Sequence, residues 1–357
     1  WDMARTLKQC ILDGTYNHGP TRQVRIPKPS GRGYRTIHIE NHTDRIVARA
    51  VLQIMQPPMD PRFSVDSFGF RPGKDRRCAL NAALELLREG RSHWTVADIK
   101  DCFDNISLNR LMDIIRKQYP GIDDNLIELI KRIAGTGKKR GIRQGSPLSP
   151  FLMNLYLNHL LDGVWRKLAL DEPLLRTADD LLVCCRSQKR AQEALDLLRQ
   201  ILKYTGLKLN ERKSTVQKLQ SEADTVDWLG YSITWKEEGP VVRIAESSWK
   251  SLVVTLEEAH IKQGSPLRAI QTLNGWLDQL GPCFPNEETR NVYQRAVSMA
   301  EALAFNEMPG LDEFLRRWSA AHARWCHLCS GTDSLRYTPS GGSARQVFLS
   351  ATRVRRS

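Results

Sequence analysis

The sequence predicts an α+β fold, with an antiparallel sheet packed on helices and an all-α region after it. Three observations lead to this prediction. Short apolar runs bounded by turn residues alternate with helix-spaced apolar residues over roughly the first 240 positions. Two of these runs flank Asp179 and Asp180, an arrangement typical of a β-hairpin. Beyond that region the apolar residues recur at helical spacing.

The composition favours a folded protein with a polyanionic partner. Of 357 residues, 41% are hydrophobic and 26% are charged, which is enough to bury a core and argues against disorder. The formal net charge of +13 suits binding to phosphate backbones, although a basic protein without such a partner is compatible with the charge alone. The eight cysteines show no regular framework, and neither a signal peptide nor a long apolar span is recognised. We therefore expect a cytoplasmic protein that does not contact a membrane.

The first segment predicts a β-hairpin and then a helix. Apolar residues at 24–26 and 36–39 flank a turn-rich stretch, and Thr43 is a candidate cap for a helix that extends to Met55. Three basic residues accompany the hairpin: Lys28, Arg32 and Arg35. They could hold a triphosphate through charge-assisted hydrogen bonds, or they could belong to an ordinary solvated hairpin. The loop "SVDSFGFRPGKD" leaves a similar choice between recognition of bases or sugars and simple packing.

A second strand, over residues 94–98, is predicted to end in a carboxylate. Asp101 and Asp104 follow closely, but each could be a surface residue or a helix cap. Asp98 is the favoured site residue because a rigid strand can hold a ligand in place. A helix is expected to begin near Ser107.

The hairpin around "RTADDLLVCC" is predicted to present carboxylates opposite Asp98. If residues 178–180 form the turn, one carboxylate can face a site shared with Asp98 while the other lies beside it. Three clustered carboxylates repel one another unless cations neutralise them, and oxygen-only ligation suits Mg²⁺. An isolated pair of aspartates in a turn is weak support for a metal site, so the surrounding sequence must decide.

The region after residue 240 contains four helix-like stretches separated by "GSP", "GPCFPN" and "MPG", which stop helices. Near its end, Cys326 and Cys329 with His322 or His327 suggest zinc, but a second cysteine pair is missing and helical packing is favoured. The polar tail ends in arginines and is expected to be loosely ordered, with potential to bind RNA.

Seven blocks resemble, in order and spacing, those of reverse transcriptases, most of all the bacterial group II intron-encoded, maturase-like branch. They are "IPKPSGRGYR", "DSFGFRPG", "ADIKDCFDNI", "GIRQGSPLSPFLMNLYLNHLLD", "RTADDLLVCCRS", "GLKLNERKSTV" and "WLGYSI". The resemblance implies a right-hand polymerase fold. Fingers and a palm with a ferredoxin-like antiparallel sheet would occupy residues 1–240. A helical thumb or maturase-like domain would occupy 241–329, before a basic tail at 330–357.

The resemblance also implies roles for individual residues. Asp98, Asp179 and Asp180 would be the catalytic carboxylates that bind two Mg²⁺ ions, which Mn²⁺ could replace, with Asp98 and Asp179 as direct ligands. The residues implied to bind the incoming nucleotide are Lys28, Arg35, Phe103, Gln144, Gly145 and Lys213. The residues expected to contact primer or template are Phe70, Arg71, Leu229 and Gly230. Phe103 would select deoxynucleotides by a clash with a 2′-hydroxyl.

The implied activity is RNA-directed DNA polymerisation, a nucleotidyl transfer that requires an RNA template, a DNA or RNA primer and dNTPs. The template could be an intron or a structured non-coding RNA, and the oligomeric state is left open. Two alternatives remain: a domesticated antiphage-defence enzyme that copies a dedicated RNA, and a non-catalytic RNA-binding splicing maturase. An RNA-copying RNA polymerase is disfavoured by Phe103. Thr177 replaces the aromatic residue that usually precedes "ADD", which is expected to alter fidelity or priming rather than the fold.

Overall fold

The computed structural model of the protein describes residues 2–27, 34–137, 139–168, 171–261, 266–280, 286–305 and 309–330. Its α+β architecture confirms the predicted fold class. The helices of these segments are α1 (Asp2–Leu12), α2 (His42–Met59), α3 (Arg76–Arg88), α4 (Cys102–Asn105), α5 (Leu108–Gln118), α6 (Asp124–Ala134), α7 (Ser149–Leu157), α8 (Gly163–Lys167), α9 (Gln188–Thr205), α10 (Glu246–Ile261), α11 (Pro266–Leu280), α12 (Asn286–Ala302) and α13 (Leu311–Ser330). The strands are β1 (Arg22–Pro27), β2 (Tyr34–Ile39), β3 (His93–Asp98), β4 (Leu174–Thr177), β5 (Asp180–Cys185), β6 (Thr215–Lys218), β7 (Thr225–Trp228), β8 (Tyr231–Lys236) and β9 (Gly239–Ile244).

The central sheet is antiparallel, with the strand order β4-β5-β3-β6, and we refer to it as the palm sheet. Its two faces pack into different cores. Along β5, Leu181 and Val183 belong to one hydrophobic cluster, whereas Leu182 and Cys184 belong to the other. A strand that is buried on both faces needs apolar residues at every position, which explains the unbroken run after Asp180.

Helices cover both faces of the palm sheet. On one face, α9 packs against β3, β5 and β6, and the hydroxyl of Thr95 donates to the carbonyl of Ala191 at 2.6 Å. On the other face, α3 packs against β4 and β5 and also contacts α13. The palm sheet is therefore sandwiched, and only the ends of its strands are free to present side chains to a ligand.

The N-terminal hairpin forms as predicted, by antiparallel pairing of β1 with β2. The helix that follows begins earlier than expected. Its N-cap is Asn41, whose Oδ1 accepts from the amide of Asp44 at 2.8 Å. The prediction of Thr43 as the cap is wrong, because Asn41 satisfies a first-turn amide and the helix already includes His42. The helix predicted to begin near Ser107 is α5, which starts at Leu108 and has Ser107 as its N-cap.

A second antiparallel sheet, with the order β7-β8-β9, leads into the helical region. Its last strand, Gly239–Ile244, crosses the expected boundary at residue 240, and the first helix of the helical region, α10, starts at Glu246. The four helices α10 to α13 form the predicted bundle, in which Trp249 and Trp276 pack with ring centroids 4.8 Å apart.

Two further expectations concern a membrane-spanning helix and the candidate zinc ligands. Among the described residues, no helix combines the length and apolar character that crossing a membrane requires. The four residues considered for zinc, His322, Cys326, His327 and Cys329, lie on α13, and their side chains are outside the described part of the structure.

Candidate active site

Three aspartates meet at one end of the palm sheet. Asp98 is the last residue of β3 and pairs directly with Asp180, the first residue of β5. Ala178 and Asp179 form the two-residue turn between β4 and β5, since Thr177 pairs with Asp180. The expected three-residue turn is thus shorter, because Asp180 belongs to the strand. The backbone carbonyl of Asp179 accepts a hydrogen bond from the backbone amide of Ile99 at 3.0 Å, which holds Asp179 near Asp98.

The electrostatics of this cluster show an excess of negative charge. Burial raises the pKa of Asp179, and the charge of Asp98 adds to that rise. Burial also raises the pKa of Asp180, with further contributions from the charges of Asp179 and Asp98, to about 7. Neighbouring carboxylates that disfavour one another's ionisation are the expected sign of a site that needs a cation.

The loop after α9 contributes positive charge to the cluster. Lys213 lies with its Nζ 3.1 Å from Oδ1 of Asp98, and its side chain is largely exposed. Asn210 donates from Nδ2 to Oδ2 of Asp98 at 3.3 Å, and from its amide to the Asp98 carbonyl at 2.8 Å. The structure therefore places Lys213 at the carboxylates, whereas the sequence blocks assign it to the incoming nucleotide, and it adds Asn210 as a second contact.

The hairpin β1–β2, which we call the fingers hairpin, adjoins the loop that contains Gln144 and Gly145. The amide of His38 donates to the carbonyl of Gln144 at 2.7 Å. Gly145 has a φ of +112°, and a Cβ there would lie 2.5 Å from the His38 carbonyl oxygen. Only glycine permits this approach, so Gln144 is held beside the fingers hairpin.

Of the two fingers residues expected to bind nucleotide, Arg35 is described and Lys28 lies outside the described residues. Arg35 is exposed on β2, and its positive charge partly offsets the rise in the pKa of Asp179. The charge of Arg35 thus reaches the acidic cluster.

The comparison with known families decides what this arrangement belongs to. Residues 26–233 match the reverse transcriptase (RNA-dependent DNA polymerase) family, which covers more than half of the chain. The chain belongs to the reverse transcriptase family. The match contains all three aspartates, the second strand of the fingers hairpin and the loop around Gly145.

Similar proteins confirm the resemblance to the intron-encoded branch. Group II intron-encoded protein LtrA from Lactococcus lactis subsp. cremoris is 34% identical over 163 residues, which is 43% of this chain and 26% of that protein. Protein YkfC from Escherichia coli K12 is 32% identical over 165 residues, which is 43% of this chain and 42% of that protein. The matches thus span less than half of the length of these curated relatives.

A solved structure supports the fold. Telomerase from Candida albicans, in a complex with a fragment of telomeric RNA, superposes with a TM-score of 0.55 at 13% identity. The alignment covers 90% of this chain and 60% of that chain. The similarity extends into the helical region after the palm sheet, so this chain and that telomerase share an overall fold.

Reverse transcriptases generally use divalent metal ions, and the acidic cluster fits such an ion in donor chemistry. Asp98, Asp179 and Asp180 offer only oxygen ligands, and their mutual repulsion would be relieved by a cation. Within the described segments, however, no three His, Cys, Asp or Glu side chains are grouped closely enough to hold a metal, and Asp98 is paired with Lys213. The side chains of the three aspartates would therefore have to move closer together to hold an ion.

Phe103 lies on the short helix α4, close after the strand that carries Asp98. Its side chain is partly buried, and its carbonyl accepts from the amide of Ile142 at 2.9 Å. Asp101 precedes α4 in a left-handed conformation and is exposed, as is Asp104. Neither is a member of the palm sheet, which agrees with the choice of Asp98.

Phe70 and Arg71 differ in exposure, although the sequence analysis expected both to contact primer or template. Phe70 is 57% exposed. Arg71 is buried, and its guanidinium donates to Asp60 and to the carbonyls of Ser64 and Ser67 at 2.7 and 2.8 Å. Arg71 therefore lies inside the protein, because it satisfies carbonyls of the loop before it, and only Phe70 is presented to a ligand.

Leu229 and Gly230 form the two-residue turn between β7 and β8, both with positive φ. The Gly230 carbonyl accepts from the amide of Ala245 at 3.0 Å and from the hydroxyl of Ser248 at 2.9 Å. Ser248 belongs to α10, so this hairpin is fastened to the first helix of the helical region.

Two further residues lie near the carboxylates: Arg76, which was not anticipated from the sequence, and Thr177, which was. Arg76, at the start of α3, has a positive charge that partly offsets the rise in the pKa of Asp180. Thr177 has a buried hydroxyl without a hydrogen-bond partner among the described residues. A basic residue soon after a glycine-rich loop, as at Arg76, was a usable signal, whereas Asn210 was hidden in a polar loop.

Proposed function

We propose that this protein is an RNA-directed DNA polymerase that extends a primer with dNTPs on an RNA template by two-Mg²⁺ phosphoryl transfer. The observation that carries the proposal is the meeting of Asp98, Asp179 and Asp180 at one end of the palm sheet, where burial and the neighbouring carboxylates raise the pKa values of Asp179 and Asp180. Within the reverse transcriptase family, such a cluster is suited to nucleotidyl transfer.

The chain's own residues have separable tasks in this proposal. Asp98, Asp179 and Asp180 would hold the metal ions, which would activate a 3′-hydroxyl and stabilise the departing pyrophosphate. Lys213 would leave Asp98 for the leaving phosphates, since an exposed ammonium on a flexible stem can exchange one anion for another. Arg35 would hold the incoming triphosphate from the fingers hairpin.

The polymer partners follow from charge and shape. A net charge of +13 favours nucleic acid, and an exposed Phe70 can stack on a base or sugar. The Leu229–Gly230 hairpin, fastened to the thumb, would support the primer end, while the thumb would follow the backbone of the hybrid. Affinity for RNA should fall steeply as salt is raised, and a flat dependence would remove the charge argument.

The test of the activity is a primer-extension assay. Purified protein with poly(rA)/oligo(dT), Mg²⁺ and dTTP should extend the primer, and Asp179→Asn should abolish extension. Asp113→Asn, an exposed aspartate on α5, is the matched control and should remain active. No extension by the unaltered protein, in Mg²⁺ or Mn²⁺, would favour the non-catalytic maturase.

The biological role is a separate question with its own experiment. A group II intron enzyme should copurify with its intron, whereas a domesticated defence enzyme should copurify with a short structured RNA. Sequencing the bound RNA separates the two. The similarity to intron-encoded proteins favours the first role.

A further inference from the structure

A buried ion pair lies directly behind the turn that carries Asp179. Arg176, three residues before Asp179, is completely buried within β4. Its Nε lies 2.9 Å from Oδ1 of Asp162, and its Nη2 lies 2.6 Å from Oδ2. Asp162 is 4% exposed, so both charges are removed from water and depend on each other.

The remaining donors of this guanidinium reach the turn itself. Nη1 of Arg176 donates to the carbonyl of Ala178 at 3.1 Å and to Oδ1 of Asn154 at 2.8 Å. Asn154 is also buried, and its Nδ2 donates to the carbonyl of Gly69 at 2.7 Å. One side chain therefore connects a carboxylate, an amide and the turn backbone.

Gly69 presses on the same turn from the other side. A Cβ at Gly69 would lie 2.4 Å from the amide nitrogen of Ala178 and 3.0 Å from the carbonyl carbon of Thr177. The amide of Phe68, the neighbouring residue, donates to the Arg176 carbonyl at 2.8 Å. The turn is thus enclosed between the Arg176 guanidinium and the backbone of the "SFGF" loop.

The enclosed turn contains a residue with an unfavourable backbone conformation. Ala178 has a φ of 60°, in the left-handed region that residues with a side chain rarely adopt. Such a residue persists when its surroundings over-determine its backbone. A hydrogen bond from a charged donor to the Ala178 carbonyl and close packing of Gly69 on its amide supply that constraint.

Asp162 reaches Arg176 from an unusual helical segment. Residues Asn158–Asp162 form a π-helical turn between α7 and α8. A π-turn inserts an extra residue and shifts which side chains face inward, and such turns occur often at functional sites. Asn154 of α7 and Asp162, two turns apart, then both face the same guanidinium.

We propose that Arg176, held by Asp162 and Asn154, is a positioning residue that sets the conformation of the Ala178–Asp179 turn and thereby the placement of the Asp179 and Asp180 carboxylates opposite Asp98. The inference rests on the proposed polymerase function for its kinetic consequence. The placement of the turn itself does not depend on that function.

The chain offers a matched control for this proposal. Arg91 is also buried and pairs with the buried Glu172 at 2.8 Å, near the opposite end of the palm sheet from the aspartates. Arg91→Lys and Arg176→Lys should both lower the melting temperature. An ion pair that only stabilises the core would have the same effect at either place.

The experiment compares kinetics and backbone exchange in the two variants. Primer extension on poly(rA)/oligo(dT) gives kcat and KM for dTTP, and hydrogen exchange is followed in the peptide that spans residues 174–185. Arg176→Lys should lower kcat at least tenfold, with KM and primer–template affinity within about twofold. It should also speed exchange at the turn, whereas Arg91→Lys should leave kcat within about twofold. Equal effects of the two variants on both measurements would overturn the proposal.

Two further variants guard against failure to fold. Arg176→Met with Asp162→Leu removes both charges together, so no lone buried charge remains, and it should show the same loss of kcat. Gly69→Ala disturbs the turn without changing the ion pair and should reproduce the loss. If the unaltered protein extends no primer, the proposed function fails, and the exchange measurement alone decides. Faster exchange at the turn in Arg176→Lys than in Arg91→Lys supports the proposal, and equal exchange refutes it.

Discussion

Replacement of Asp180 by asparagine should make the metal-free protein more stable at high pH while removing its activity. Burial and the charges of Asp179 and Asp98 raise the pKa of Asp180 to about 7 in the folded protein. An unperturbed aspartate has a pKa of about 3.9, so the folded state holds its proton about three units longer than the unfolded state. The carboxylate therefore opposes folding once it is ionised.

The pH range follows from the direction of this shift. Below about pH 4 the carboxyl is protonated in both states, and its full favourable contribution is present. Between about pH 4 and pH 7 the unfolded state ionises first, so stability falls as pH rises, and the loss is complete above the folded pKa. At about 1.4 kcal/mol per unit, the cost at pH 8 is about 4 kcal/mol. This figure is an upper limit because residual solvent contact screens the charges.

The assay is guanidinium unfolding of the unaltered protein and Asp180→Asn in metal-free buffer at pH 4 and pH 8. Asp180→Asn should be more stable by up to about 4 kcal/mol at pH 8, with a difference below about 1 kcal/mol at pH 4. Mg²⁺ at pH 8 should narrow the gap, because a cation neutralises the carboxylate only in the unaltered protein. Asp113→Asn, exposed on α5, should show no such pH dependence. A stability difference that is the same at both pH values would refute the reasoning.

Three further predictions concern single contacts. Gly145→Ala should cost about 1–3 kcal/mol and slow primer extension, because its Cβ would meet the His38 carbonyl at 2.5 Å; thermal unfolding and steady-state kinetics test this. Leu229→Gly should destabilise the protein by up to about 1 kcal/mol, because the lost packing of Leu229 against the core and the added freedom of the unfolded chain outweigh the relief of a φ of 51°; a gain of stability in chemical unfolding would contradict it. Phe103→Val should increase incorporation of UTP relative to dTTP, and an unchanged ratio would mean that Phe103 does not contact the sugar.

The features that could be predicted from the sequence are those with local causes. A strand that ends in Asp98, a hairpin that carries Asp179 and Asp180, and helices with clear stop signals were all evident from spacing and turn chemistry. The ordered blocks then identified the family and the right-hand fold. These signals depend on neighbours within a few residues, which the chain itself supplies.

Other features depend on contacts between distant segments. The sequence did not reveal that Asp180 rather than Asp179 pairs with Asp98, because a shift of one residue in strand pairing leaves local patterns unchanged. Arg71 was expected to contact primer or template, yet its guanidinium turns inward to carbonyls that only the folded loop brings near.

The surroundings of Arg176 show the difference between what local sequence patterns predict and what tertiary contacts decide. The sequence alone determined that carboxylates would lie at the end of an apolar hairpin, and the order of the seven blocks around that hairpin determined the resemblance to reverse transcriptases. Only the tertiary structure decided how that tip is held, because Asp162, Asn154 and Gly69 converge on the turn from separate elements. A buried arginine requires a partner for its charge, and the identity of that partner depends on distances that no linear pattern contains.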